Sequence, residues 1–253
     1  MPWIQLEGAF NVRDLGGLPA GNGSLTAPGR LIRSANLQEL TPADVAKLVN
    51  DIGLSTVVDL RSPAEVTEEG PGPLDRVASV RHENYPVLSE LGPAENEAPG
   101  SRHEQDRLRY PDDPTCGRYL GYIENRPGLV VAALRAIAGS GGAAIVHCAA
   151  GKDRTGVVVA LALTAVGVAP EAVVDDYTAT NEHIAAILAQ LRRSPAYRAD
   201  LDRKPDDEHR ALPGTMTAFL EQVDVRHGGV GNWLAGNGFG DEDLVRLQAR
   251  LLA

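Results

Sequence analysis

The sequence has only two cysteines, Cys116 and Cys148, among its 253 residues. Two thiols are too few for the disulfide framework that holds small secreted proteins together, and they are typical of a reducing compartment. We therefore expect any chemistry at these residues to be thiol chemistry. Cys116 is expected to be buried as a small hydrophobic side chain, although it could in principle trap an oxidised Cys148 as a disulfide.

Basic residues are outnumbered in this chain. It has 24 Lys and Arg against 34 Asp and Glu, which gives a formal net charge of −10 at pH 7. Such a charge repels nucleic acid and anionic membrane surfaces unless a local basic patch overrides it. We expect no nucleic-acid partner and no stable membrane insertion, and an anionic substrate would have to be captured locally.

The chain also lacks a long hydrophobic run. The longest run, residues 156–169, is shorter than the roughly 20 residues that a membrane-spanning helix needs, and we interpret it as a buried helix. The first ten residues, MPWIQLEGAF, show no basic region followed by an apolar one. No signal peptide is therefore predicted, and a cytoplasmic location is expected.

Short apolar segments alternate with helical patterns in the first half of the chain. RLIRS at 30–34 is followed by a helix signalled by Thr41, Pro42 and Gly53, and then by a β-branched run at 54–62. Strand, helix and strand in this order predict a βαβ unit and a largely parallel sheet. A further apolar run, AAIVH at 143–147, is expected to be a central strand.

The overall composition predicts a globular α/β protein. With 43% hydrophobic and 23% charged residues, the 253-residue chain can bury one large core, and we expect one domain over 1–253. Residues from about 90 to 114 are rich in Pro, Gly and charge and are expected to form a surface insertion. After about residue 170 the pattern is helical. The predicted fold is therefore a largely parallel central sheet flanked by helices, with a helical C-terminal portion.

A charged loop, HCAAGKDRTG at 147–156, stands between the predicted central strand and the apolar helix. A turn from a buried strand into a helix aims unpaired backbone N–H groups into one concavity, and the helix N-terminus adds positive potential. We expect a phosphate to bind there. The predicted phosphate-binding residues are Ala149, Ala150, Gly151, Lys152, Asp153 and Arg154.

Cys148 stands at the base of this predicted anion site. The helix dipole and nearby cations favour its thiolate, which is a strong nucleophile at neutral pH. Arg154 supplies a bidentate fork for phosphoryl oxygens, and Lys152 adds a second positive charge. These residues predict covalent phosphoryl transfer, in which Cys148 attacks phosphorus and water then releases the cysteinyl-phosphate. This chemistry requires no metal or other cofactor, and the Walker A and kinase motifs are absent.

The leaving oxygen needs a proton from a carboxylic acid within hydrogen-bond reach. Asp153 is the nearest candidate in the sequence. The alternative is that Asp153 only pairs with an arginine and shapes the loop, and in that case Glu83 or Asp59 is the fallback acid.

Several other polar residues are candidates for supporting the loop. They are Arg13, Asp14, Asp59, Arg61, His147 and Thr155. We interpret Arg13 and Asp14 as an ion pair that braces a loop, and contact of Arg13 with the phosphate stays open. Asp59 and Arg61 end a strand at the edge where sites collect in parallel sheets, and structural support is their favoured role. His147 is expected to be a hydrogen-bonded core residue that strand alternation turns away from the neighbouring cysteine.

Tyr177 and Asn181 lie four residues apart on one predicted helical face. They either brace the loop from behind or only pack against their neighbours.

The sequence HCAAGKDRTG resembles the signature of the cysteine-dependent protein tyrosine phosphatases. More closely, the chain is similar to their bacterial atypical branch, which has tyrosine, dual-specificity and phosphoinositide activity. NVRDLGG, PGRLIRSANLQELTPAD, TVVDLRSPAEV, DDYTATN and the last thirty residues match in order and spacing, so the resemblance covers nearly the whole chain. It implies the α/β phosphatase fold, with Cys148 as nucleophile, Arg154 as phosphate clamp and Asp153 as the acid within the loop.

The resemblance also implies substrates and a moving part. Phosphotyrosine-containing proteins or peptides are the implied substrates, with phosphoserine, phosphothreonine and phosphoinositides as further classes, and Lys152 matches a position associated with this broader range. A helical segment within about 178–213 is implied to act as a lid. Because the branch includes a secreted enzyme, export by a route without a cleavable signal stays open.

The chain departs from its branch at one position. An Asp follows a proline upstream in that branch, whereas this chain has Val87 in NYPVLSE. The departure favours Asp153 as the acid and argues against a mobile acid loop.

Two other functions would use a similar loop. A noncatalytic phosphate-binding module, or pseudophosphatase, would keep the loop without turnover, and Val87 is the feature that favours it. A sulfur-transfer or arsenate-reducing enzyme also uses a cysteine loop, but it explains neither Thr155 and Gly156 nor the matches in the flanking segments.

Overall fold

The structure, a computed structural model, describes residues 2–88, 102–203 and 205–253. Five strands in these residues form one sheet: β1 (Arg13–Asp14), β2 (Leu31–Ser34), β3 (Leu54–Asp59), β4 (Arg81–Asn84) and β5 (Ala143–His147). Their order across the sheet is β1-β2-β5-β3-β4. Only β1 and β2 are antiparallel among the paired strands, so the sheet is largely parallel and β5 lies at its centre.

The described residues also contain twelve α-helices. The first five are α1 (Pro42–Ala46), α2 (Pro63–Glu69), α3 (Arg102–Arg109), α4 (Pro114–Asn125) and α5 (Pro127–Ala138). The rest are α6 (Asp153–Ala165), α7 (Pro170–Ala179), α8 (Ile184–Leu191), α9 (Pro195–Leu201), α10 (Pro213–His227), α11 (Val230–Gly236) and α12 (Asp241–Leu251). The α/β class predicted from the sequence is confirmed. None of these helices combines the length and the apolar character that crossing a bilayer requires.

The predicted strand–helix–strand unit is present, but its two strands are not neighbours. The side chain of Thr41 caps α1 by accepting from the Asp44 amide, and a π-helical stretch (Lys47–Asp51) continues the helix. β5 lies between β2 and β3 and pairs in parallel with both. A strand in this position is buried on both faces, which explains its unbroken apolar sequence AAIVH.

Two elements were not predicted from the sequence. The chain after β3 forms the helix α2, because Ser62 and Glu65 make a reciprocal capping box at the helix start. The strand β4 has the sequence RHEN and is mostly exposed at the sheet edge, so it carries no apolar signal.

The expected surface insertion and the end of the expected apolar helix also differ from the structure. In the expected insertion at about 90–114, residues 89–101 lie outside the described residues, and from residue 102 the chain forms α3. This helix packs on α4 so closely that a Cβ on Gly117 would lie 1.9 Å from the Asp106 carbonyl oxygen. The apolar helix α6 ends at Ala165 rather than near residue 169, and Gly167 follows with a φ of +86°.

A buried ion network joins β1, β2 and α7. The Asp176 carboxylate accepts from Arg13 Nε at 2.8 Å through Oδ1 and from Arg33 Nη1 through Oδ2. All three side chains are at most 1% exposed. Burial acts to raise the pKa of Asp176, but Arg33 and Arg13 outweigh it and hold the pKa below its ordinary value. Arg13 thus pairs with Asp176 and not with Asp14, which accepts from the backbone amides of Gly16 and Gly29 instead.

Replacing Asp176 with asparagine removes the carboxylate that two buried arginines share. Breaking a buried ion pair in this way costs about 3–5 kcal/mol, so Asp176→Asn should unfold at a clearly lower urea concentration than the wild type. Glu242→Gln is the control, because its partner Arg246 is 65% exposed and such pairs contribute at most about 0.5 kcal/mol. Equal stability losses in the two variants would contradict the role given to the network.

Candidate active site

The predicted phosphate loop follows the central strand β5 and ends where α6 begins. Cys148 is the first residue after the strand, and its free thiol is buried, with the residue 2% exposed. The strands on either side end at the same level, since Ser34 and Asp59 are both in register with His147. The loop therefore stands at the carboxyl edge of the sheet, where the ends of three parallel strands meet.

Two side chains hold carbonyl groups of this loop from outside. Asn11 Nδ2 donates to the carbonyls of Ala150 and Gly151 at 3.2 and 3.1 Å, and Arg33 Nη2 donates to the Gly151 carbonyl at 2.6 Å. In a trans peptide the C=O and the following N–H point in opposite directions. The amides of Gly151 and Lys152 are therefore turned away from Asn11 and Arg33 and are available to an anion.

Gly151 is required at its position for two reasons. Its φ of +64° lies in the left-handed region, and a Cβ there would stand 2.2 Å from the Ser34 carbonyl oxygen. Glycine alone satisfies both conditions without strain. The loop can thus lie directly against the end of β2.

The Arg154 guanidinium is held by a carboxylate that sequence reasoning missed. Its Nη1 and Nη2 donate to the two oxygens of Glu65 at 2.5 and 2.8 Å, and Nη1 also lies 3.4 Å from the Leu60 carbonyl. Burial acts to lower the pKa of Arg154, but Glu65 outweighs it and the pKa lies well above its ordinary value. Arg154 is therefore a fixed positive charge with a fixed direction.

Asp153 is the first residue of α6, and its carboxylate Oδ1 accepts from Tyr119 OH at 2.7 Å. Lys152 Nζ stands 3.7 Å from the same oxygen. Burial acts to raise the pKa of Asp153, but Lys152, Arg118 and Tyr119 outweigh it and hold the pKa below its ordinary value. Asp153 is thus a carboxylate while the site is empty.

The segment expected to form a lid lies against the phosphate loop. Lys152 Nζ donates to the His209 carbonyl at 2.7 Å. Ile187, Leu191 and Tyr197, from α8 and α9, form one buried cluster with Ala149 of the loop. Asn181, a candidate brace of the loop, exchanges two hydrogen bonds with the backbone of Ala211 and so ties down the end of this segment.

Asp59, Arg61 and His147 form a group beneath the loop. Arg61 Nη2 donates to Asp59 at 2.7 Å, and His147 Nε2 stands 3.6 Å from the same carboxylate. His147 Nδ1 lies 3.3 Å from the Cys148 carbonyl oxygen. Burial lowers the pKa of His147 to about 4, so its ring is neutral at physiological pH.

Four residues considered in the sequence analysis remain: Glu83, Val87, Thr155 and Cys116. Glu83 on β4 bonds with Arg81 and Tyr85. Val87 is buried, with 2% of the residue exposed. Thr155 is fully buried, and its Oγ1 has no hydrogen-bond partner within the described residues. Cys116 is also fully buried, and burial raises its pKa to about 12.

Four residues of the site were not singled out from the sequence: Asn11, Arg33, Glu65 and Tyr119. Asn11 lies in NVRDLGG and Arg33 lies in RLIRS, and both residues are fully buried. Polar and charged side chains are rarely buried without a partner, and this was the available signal. Glu65 lies in α2, which was not predicted, and its local contact with the Ser62 amide gives no sign of Arg154. Tyr119 carries no local signal at all.

The chain is similar in sequence to proteins of known family. Residues 4–253 match the model of the tyrosine phosphatase family. The triple specificity protein phosphatase PtpB of Mycobacterium tuberculosis is 29% identical, over 98% of this chain and 98% of that protein. A Cupriavidus necator protein assigned as a tyrosine-protein phosphatase is 31% identical over 88% of this chain and 80% of its own length. A tyrosine-protein phosphatase of Nostoc commune is 27% identical over 92% of this chain and 78% of that protein.

The family match spans almost the entire chain, and in HCAAGKDR it includes a cysteine and an arginine with five residues between them. The chain belongs to the tyrosine phosphatase family and is a cysteine-dependent protein tyrosine phosphatase.

Proposed function

We propose that the chain hydrolyses phosphate monoesters, first of all phosphotyrosine in proteins or peptides, through a phosphocysteine formed on Cys148. The observation that carries this proposal is the arrangement around the loop. Cys148 follows the central strand, Asn11 and Arg33 turn the loop amides away from themselves, and Glu65 fixes Arg154. A nucleophile, an amide cradle and an arginine clamp are together what covalent phosphoryl transfer needs.

In the first step the thiolate of Cys148 attacks phosphorus and the bond from phosphorus to the ester oxygen breaks. The loop amides and Arg154 stabilise the charge on the three equatorial oxygens. Asp153 gives its proton to the leaving oxygen. In the second step water attacks the phosphocysteine, Asp153 takes a proton from that water, and the phosphorus–sulfur bond breaks to release inorganic phosphate and the thiolate.

The low pKa of Asp153 in the empty site is compatible with an acid role. A bound phosphate ester brings two negative charges next to this carboxylate, and like charges raise the pKa of a carboxyl group. It also takes up the interactions of Arg154, one of the cations that lower the pKa of Asp153 before substrate binds. Substrate binding thus favours the protonated form that the first step consumes.

We further propose that phosphoserine, phosphothreonine and phosphoinositides are accepted, and that residues within 178–213 act as a lid. The Mycobacterium relative is named a triple specificity phosphatase. In this chain the Lys152 ammonium is bound by the His209 carbonyl, and movement of the segment around His209 would free that charge for a second anionic group. The roles of Arg13, Asp14, Asp59, Arg61, His147 and Thr155 are structural support of the loop.

Replacing the nucleophile should abolish turnover. We expect Cys148→Ser to lose activity on an aryl phosphate by on the order of 10⁴-fold or more, because the hydroxyl is not ionised at neutral pH. Cys116→Ala, which removes the other thiol, should keep wild-type activity. Mass spectrometry of wild-type protein quenched during turnover should find one phosphoryl group on Cys148. Phosphopeptide binding by the wild type without phosphate release would instead support a pseudophosphatase.

The acid role of Asp153 predicts a dependence on the leaving group. Asp153→Asn should reduce kcat/KM, which reports the first step, by about 10²–10⁴-fold on phenyl phosphate, an ester with a poor leaving group. The loss should be much smaller on 4-nitrophenyl phosphate, whose leaving oxygen needs no proton. Glu83→Gln is the matched control at the fallback acid and should show no such dependence. Equal losses on both substrates in Asp153→Asn would assign the acid elsewhere.

The broader substrate range predicts a selective effect of Lys152. Lys152→Gln should lower kcat/KM for a soluble phosphoinositide more than for a phosphotyrosine peptide, by about tenfold, because an ammonium facing a second anion is lost. Lys47→Gln is the control, since Lys47 also donates to a backbone carbonyl but at an exposed site. No difference between the two substrate classes in Lys152→Gln would contradict this role.

A further inference from the structure

Two buried tyrosines connect Asp153 to the helices that pack on α6. Tyr119 on α4 has its hydroxyl 2.7 Å from Asp153 Oδ1 and 2.7 Å from the hydroxyl of Tyr177 on α7. Tyr119 is fully buried and Tyr177 is 1% exposed. The side chains of Tyr177, Tyr119 and Asp153 are therefore joined in series by direct hydrogen bonds.

The number of protons available fixes which group donates in each of these hydrogen bonds. A phenol has one proton to donate, and an ionised carboxylate can only accept. Tyr119 thus uses its proton on Asp153, and Tyr177 must donate to the oxygen of Tyr119. Burial raises the pKa of both phenols, so both hydroxyls keep their protons over the physiological pH range.

The ring of Tyr119 is held in place by aromatic neighbours. Its centroid lies 6.1 Å from the stacked ring of Tyr122 and 6.0 and 6.2 Å from the edge-on rings of Phe219 and Tyr177. Tyr177 in turn reaches α6 because Gly156 faces it, and a Cβ there would stand 3.1 Å from its ring. The hydroxyl of Tyr119 therefore has little freedom to leave Asp153.

We propose that Tyr119 is a positioning residue for proton transfer by Asp153, and that Tyr177 fixes the direction in which the Tyr119 hydroxyl donates. Because Tyr119 holds Oδ1 of Asp153, the proton to be transferred is carried on Oδ2. The same hydrogen bond keeps the carboxyl group from rotating, so the two oxygens do not exchange places. This proposal rests on the proposed function, in particular on Asp153 as the acid.

The pH dependence of the reaction should report this contact. The ionisable groups that face Asp153 are Lys152 from the loop, Arg118, Tyr119 and Tyr122 from α4, Arg154 from α6 and Tyr177 from α7. Among them Tyr119 donates directly to the carboxylate and so favours its charged form. Removing that donor raises the pKa of Asp153. Because the acid must be protonated, the loss of activity at alkaline pH should then begin at a higher pH.

The decisive variant is Tyr119→Phe, measured on phenyl phosphate and on 4-nitrophenyl phosphate. We expect kcat/KM on phenyl phosphate to fall by about 10- to 100-fold, with a much smaller fall on the other ester. The alkaline limb of kcat/KM should move up by about one pH unit. Tyr177→Phe should change both quantities in the same direction and by less, because Tyr119 still donates to Asp153. Tyr110→Phe is the control and should match the wild type, because Tyr110 takes no part in the hydrogen bonds between Tyr177, Tyr119 and Asp153.

A double-mutant cycle separates this proposal from the proposed function. In an Asp153→Asn background, Tyr119→Phe should cause no further loss of kcat/KM on phenyl phosphate, because the group it positions is gone. If Asp153→Asn alone shows leaving-group dependence but Tyr119→Phe acts equally on both esters, Tyr119 is only a packing residue and the proposal is overturned alone. If Asp153→Asn shows no such dependence, the acid assignment and the proposal fall together. Should Tyr119→Phe not fold, Tyr177→Phe decides by the same two measurements.

Discussion

The active site depends on a single buried carboxylate, Asp176, which lies outside the phosphate loop. It holds Arg33, and Arg33 holds the Gly151 carbonyl, so the Lys152 N–H of the same peptide is turned away from Arg33. Buried ion pairs often add no stability over well-packed apolar residues, because desolvation offsets their attraction. An apolar replacement could not bind a carbonyl, however. The network is thus explained by the orientation of a loop peptide, which apolar packing could not supply.

The guanidinium of Arg154 is likewise held in a fixed orientation by a carboxylate. The protein carries a formal net charge of −10, so its overall field opposes the approach of a phosphate ester. Capture must come from groups within a few ångströms. Glu65 would seem to weaken that attraction, yet it accepts from both terminal nitrogens of Arg154 and so fixes the plane of the guanidinium. Part of the positive charge of Arg154 is given up for a fixed direction of its guanidinium, which suits the role proposed for it on phosphoryl oxygens with defined positions.

Sequence reasoning succeeded where the signal is local. The cap of α1 at Thr41, the unbroken apolar run of β5 and the turn from β5 into α6 are each encoded within a few residues. It missed contacts between residues far apart in the chain. Arg33 and Asp176 are 143 residues apart, Arg154 and Glu65 are 89 apart, and Tyr119 and Asp153 are 34 apart. No periodicity relates such positions, because the packing of helices on the sheet creates them.

An acid inside the phosphate loop has a different problem from an acid on a separate loop. A separate loop can approach already protonated, whereas Asp153 starts a helix and stands beside Lys152 and Arg154, and each of these influences favours its ionised form. These influences oppose the protonated form that the proposed first step consumes. In the proposed mechanism a bound dianion repels the carboxylate and compensates the charge of Arg154, and so favours that form. Proton donation by Asp153 would then depend on substrate binding, which couples the acid to the substrate without a separate acid loop.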